Sequence, residues 1–207
     1  MRLAKQMIDE ALKSGASLVK SQLYDAEDDK GKPQYPFSKQ SELSFNQAKE
    51  LYDYGQAVGI EVFYSVFGLK YVDWCERIGV KRYKIACKYR DREVLDAIRT
   101  TRKPCFISVN SETVTSAPQQ WDWLWCIPDY PAVARNFKVI PFNRYKGFSD
   151  HTIGIDTAKI ALARGARVIE KHFTLDKTLP GPDQFLSIEP NEMRELTKWE
   201  VMCKEIL

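Results

Sequence analysis

Histidine is scarce in this chain: 207 residues carry only His151 and His172. Cysteine is present but unpatterned. Cys75, Cys87, Cys105, Cys126 and Cys203 are odd in number, and no two stand at a Cys-x-x-Cys spacing. That argues against a disulfide framework and a thiolate zinc site, and for a reducing, cytoplasmic setting. Neither charge dominates. Lys+Arg 31 against Asp+Glu 28 leaves +3, with the basic residues scattered, so no nucleic-acid partner is expected. No apolar run approaches ~18 residues, so no membrane span is expected. The opening MRLAKQMIDEALKSG contains acidic residues and no apolar core, unlike a secretory signal. Hydrophobic residues at 44% and charged residues at 29% exclude wholesale disorder. No linker or shift in composition divides the chain, so residues 1–207 read as one domain.

What is present is an alternation of helix and strand patterns. Leu3, Met7, Ile8, Ala11 and Leu12 fall at helical spacing before a stop at Gly15. Further helices are expected over 44–58 (capped by Ser44), 69–78, 92–100, 152–164 and 190–206, with a short one near 131–137. Strand-like runs lie at ASLVKSQ, 60–66, 82–87, 103–110, 121–127, KGFSDH and 166–173. The polar stretch 25–41, with Gly31, Pro33 and Pro36, reads as a long loop. Seven short apolar strands alternating with helices imply parallel βαβ units. The fold class is α/β, a TIM-type (β/α) barrel. Such barrels usually have about eight strands, so this one is expected to lack its first.

Chemistry in such a barrel sits at the C-terminal strand ends, and residues two apart share a face. The strand ends offer Lys20 and Gln22, then Tyr64 and Ser65, Lys84, Ser108 and Asn110, Ser149 and His151, and Glu170 and His172. Any one of these could be an interior salt bridge or a solvated strand end. Together, two lysines and several hydroxyls make a suitable phosphate or carboxylate pocket. His151 and His172 end adjacent strands, about 5 Å apart. They could share a Mn, Fe, Co or Zn ion, with Glu170 and Asp150 as outer partners. They could equally be two hydrogen-bonded structural histidines.

Longer motifs follow. Residues 149–154 read SDHTIG, 165–174 read GARVIEKHFT, 179–183 read LPGPD and 187–192 read SIEPNE. Together with VKSQ, FYSVF, KRYKIAC, KPCFISVN and CIPDYP, they resemble the N-acetylneuraminate (sialic acid) synthase family over nearly the whole chain. The resemblance implies a barrel that condenses phosphoenolpyruvate with N-acetylmannosamine or a related N-acyl amino sugar, giving a nonulosonic acid and phosphate. It implies phosphoenolpyruvate binding by Lys20, Ser65, Lys84, Ser108 and Ser149. Gln22, Tyr130 and Asp183 would line the sugar site. His151 and His172 would hold a divalent metal, Mn2+ first, with Mg2+, Co2+ or Zn2+ as alternatives. A homodimer is expected, and the family's C-terminal antifreeze-like domain has no counterpart in these residues.

Three positions depart from the pattern. Cys87 replaces a serine, Tyr89 a glutamate proposed for proton transfer, and Pro128 a polar pocket residue. With a usual pKa of about 10, a tyrosine cannot take that proton. Weak or lost activity is therefore expected. The alternatives are a non-catalytic metal- and anion-binding homologue, or another metal-dependent barrel aldolase.

Overall fold

The computed structural model describes residues 1–110, 117–137 and 142–206. Seven strands run in one parallel sheet in the order of the chain. They are β1 (Leu18–Leu23), β2 (Glu61–Val66), β3 (Tyr83–Ile85), β4 (Cys105–Val109), β5 (Asp122–Cys126), β6 (Gly147–Asp150) and β7 (Val168–Lys171). Among the described residues, β1 and β7 each pair on one side only. The helices are α1 (Arg2–Lys13), α2 (Tyr35–Ser41), α3 (Phe45–Val58), α4 (Leu69–Ile78), α5 (Arg92–Thr101), α6 (Asp156–Ala163) and α7 (Pro190–Ile206).

Local chemistry sets the boundaries. Ser44 and Gln47 form a reciprocal capping box at the start of α3, and Gly59 ends that helix at φ 88°. The stretch 25–41 is not the structureless loop expected. Asp25 caps a 3₁₀ turn at Ala26–Asp29, and Pro36 sits in the first turn of α2, where a missing N–H costs nothing. Asp29 then ties Lys32, Gln34 and Ser38 together. The helix expected near 131–137 is only a 3₁₀ turn at Ala134–Asn136. The helix expected from 152 starts at Asp156, because Asp150 draws Thr152 and Thr157 into a turn first.

The sheet curls on itself. Its outer face meets the helices in the main core, where Tyr64, Tyr83, Ile85, Ile98, Ile107 and Phe148 are fully buried. Its inner face carries a smaller plug of Phe63, Phe106 and Leu124, with Leu18 of β1 and Val168 of β7 packed against it. The two outermost strands therefore meet around one interior. Their helices also touch: Thr197 of α7 donates to Ser14 O at 3.0 Å, just past α1. Two residues beyond each plug residue, the strand period of two brings up Lys20, Ser65, Ser108, Cys126 and Glu170. The plug is thus the floor on which the polar layer stands.

Gly147 sets the height of β6. A Cβ there would lie 1.9 Å from the carbonyl oxygen of Val168. Gly147→Ala should force β6 off β7 and cost about 3 kcal/mol or more, where Ser44→Ala should cost about 1 kcal/mol. Urea unfolding of the two variants measures this, and an unchanged midpoint for Gly147→Ala would contradict it.

Candidate functional site

Lys84 lies at the centre of the polar layer, almost fully buried. Its Nζ donates to Ser108 Oγ and to Ile85 O, both at 2.8 Å, and stands 3.4 Å from Glu170 Oε2. Lys20, across the interior on β1, places its Nζ 3.6 Å from Glu170 Oε1. One carboxylate is thus shared by two ammonium groups from the first and third strands. Burial pushes the Glu170 carboxyl up, but Lys84 and Lys20, with the Ser149 hydroxyl, outweigh it and bring it down to about 2. Burial lowers the Lys20 ammonium, and Glu170 opposes that shift. The Glu170 Oε2 atom meets Lys84 as an ion pair without hydrogen-bond geometry.

Ser65 and Ser149 are buried on the same layer, and Gln22 is half-buried one step above Lys20, paired with Ser65. The structure thus gathers Lys20, Ser65, Lys84, Ser108 and Ser149 around Glu170. Glu170 is ion-paired with both lysines, and its charge also acts on both imidazoles.

The histidines stand above it. The ring centroids of His151 and His172 are 5.5 Å apart. Tyr130 stacks on His151 at 4.0 Å and meets His172 edge-on at 5.8 Å. His151 Nδ1 lies 3.1 Å from Ile127 O. A neutral ring there donates through Nδ1 and leaves the Nε2 lone pair free, as metal-binding histidines do. His172 Nδ1 lies 3.8 Å from Asp183 Oδ2. Burial first, then Lys20 and His151, hold His172 down to about 3, and burial lowers His151 as well. Two neutral imidazoles fit a divalent cation as donors. Among the described residues, however, no group of three or more His, Cys, Asp or Glu is arranged to hold a metal ion.

Asp150 does not serve the histidines. It points to the outer face of β6, accepting from Thr152 N at 2.8 Å and Thr157 Oγ1 at 2.9 Å, and pairs with Lys171 at 3.1 Å. The alternation that turns His151 and Glu170 inward turns Asp150 and Lys171 outward. The three departing positions have separate surroundings. Cys87 hydrogen-bonds Cys126, whose thiol is pushed up by that contact and by burial. Tyr89 packs edge-on against Phe67 at 5.3 Å, and burial raises its hydroxyl. Pro128 is half-buried just after β5. Among the described residues, no helix is long and apolar enough to cross a membrane.

Known proteins share this arrangement of chain. The sequence is 34% identical to an uncharacterized protein of Methanocaldococcus jannaschii over 94% of this chain and 64% of that one. It is 31% identical to the N,N'-diacetyllegionaminic acid synthase of Legionella pneumophila over 96% of this chain and 67% of that one. It thus spans about two thirds of the length of these relatives. The N-acetylneuraminic acid synthetase of Leptospira borgpetersenii, solved in complex with citrate, superposes with a TM-score of 0.88 at 29% identity, over 99% of this chain and 79% of that one. Residues 7–204 match the model of the NeuB family, and the chain belongs to that family.

Proposed function

We propose that this domain binds phosphoenolpyruvate and an N-acyl amino sugar and joins them into a nonulosonic acid, with release of phosphate. What carries the reading is the sharing of Glu170 between Lys20 and Lys84, with Ser108 on Lys84 and two imidazoles directly above. Two ammonium groups against one carboxylate leave the layer with an excess positive charge. Such a layer attracts a small polyanion. The named synthase relatives support the class of product.

In this reading the lysines and the hydroxyls of Ser65, Ser108 and Ser149 hold the phosphate and carboxylate. The sugar aldehyde lies against Tyr130, Gln22 and Asp183. Carbon 3 of phosphoenolpyruvate forms the new C–C bond with the aldehyde carbon, whose oxygen takes a proton. Water adds its oxygen to carbon 2 and gives up both protons, one for the aldehyde oxygen and one for phosphate, as the C2–O bond to phosphate breaks and the C2 carbonyl forms. The lysines stabilise the charge as it moves onto the departing phosphate. A divalent ion held by His151 and His172 would supply Lewis-acid polarisation of the carbonyl. Tyr89, protonated and packed on Phe67, takes no proton in this scheme, which lowers the expected rate by a factor of about 10²–10⁴.

Phosphate release from phosphoenolpyruvate over a panel of N-acyl amino sugars, with Mn2+ present, tests the activity. Release should depend on the sugar and fall about 10²-fold or more in Lys84→Met. Absence of release with every sugar would overturn the reading. Manganese titrated into the wild type, His151→Ala and His172→Ala, followed by electron paramagnetic resonance, tests the metal site. Weak binding should appear only in the wild type, and equal binding in all three would remove the metal from the scheme.

The buried histidines also set a pH dependence. In the unfolded chain each would titrate near about 6.5. Between about pH 7 and about pH 5 the unfolded chain takes up protons that the folded one refuses, so stability falls as pH falls. Glu170 titrates below that window in either state. The His172 contribution to the loss reaches about 2 kcal/mol at about pH 5. His172→Gln should reduce the stability lost between about pH 7 and about pH 5 by about 2 kcal/mol. Identical slopes in the two proteins would contradict a neutral buried His172.

A further inference from the structure

β3 stops at Ile85, which pairs with Ile107, while β4 runs on to Val109. Arg90 lies over the end of the shorter strand. Its Nη1 donates to Ala86 O at 3.0 Å and to Tyr89 O at 2.6 Å, and its Nη2 donates to Ser108 O at 2.9 Å. The hydroxyl of that same Ser108 takes the Lys84 ammonium at 2.8 Å. One residue of β4 therefore holds a guanidinium on its carbonyl and an ammonium on its side chain.

A guanidinium has five N–H donors in a fixed fork. Three of these are accounted for by carbonyls, and Nε is buried with no partner. Among the described residues, no carboxylate lies within ion-pair distance of Arg90. Its neighbour Asp91 is turned away, accepting from Val94 N at 3.1 Å to cap α5. Burial lowers the Arg90 pKa, but arginine keeps its charge in proteins. A half-buried cation with unspent donors and no counter-ion among the described residues is costly unless an anion completes it. Glu170 is already engaged by Lys20 and Lys84.

We infer that Arg90 is a third cation of the phosphoenolpyruvate pocket and receives the phosphate group between its guanidinium and the Lys84 ammonium. The inference rests on the phosphoenolpyruvate reading above. Its forked donors suit a phosphate, whereas a carboxylate alone can be satisfied by the lysines and hydroxyls below. Arg90→Gln removes the charge and keeps N–H donors for the carbonyls.

Isothermal titration of phosphoenolpyruvate, inorganic phosphate and pyruvate at fixed ionic strength separates the outcomes. Arg90→Gln should weaken phosphoenolpyruvate and phosphate by about tenfold or more and leave pyruvate within about twofold. Wild-type affinity for phosphoenolpyruvate in the variant overturns the inference and leaves the proposed function standing. Equal losses for phosphoenolpyruvate and pyruvate also overturn it and make Arg90 a brace for the end of β3. A wild type that binds none of the three overturns both readings. If the variant does not fold, phenylglyoxal labelling of the wild type decides. Phosphate should protect Arg90 and pyruvate should not, and labelling indifferent to phosphate refutes the inference.

Discussion

The carboxylate of Glu170 is the contact on which the interior depends. Without it, two ammonium groups from β1 and β3 would face each other in a space with little water. Each would then have to lose its proton or draw in an anion. Removing one partner of a buried ion pair typically costs about 3–5 kcal/mol, because the other charge is stranded. The triad also joins the first strand to the last across the interior, where no backbone ladder joins them among the described residues. The same group thus holds the polar layer together.

Much of this was legible in the sequence because strands carry a period of two. Lys20 with Gln22, Ser149 with His151 and Glu170 with His172 could be assigned to one face before any coordinates. The seven strands and their order followed from helix and strand patterns with capping residues such as Ser44. The pairing of side chains across the interior was not legible, because it depends on how tightly the sheet curls. The sequence places Glu170 beside the histidines, and only the curled sheet shows its ion pairs with Lys20 and Lys84. Asp150 was assigned to the histidines too, although its own strand parity turns it toward Lys171.

Local signals misled in two places. Gly31, Pro33 and Pro36 suggested an irregular loop over 25–41, but a proline in the first helical turn is compatible with α2. Asp29 supplied the order that propensity could not show. Arg90 carried no sequence signal at all. It stands in a run of charged residues that looks like a solvated helix start, and only the early end of β3 brings it over Ser108.

The plug of Phe63, Phe106 and Leu124 has a consequence for traffic. Among the described residues it fills the inner face beneath the polar layer. Lys84 is almost wholly covered, while Tyr130 is half exposed at the rim. In the function proposed above, a molecule seated at the depth of Lys84 would arrive before one resting against Tyr130 and depart after it.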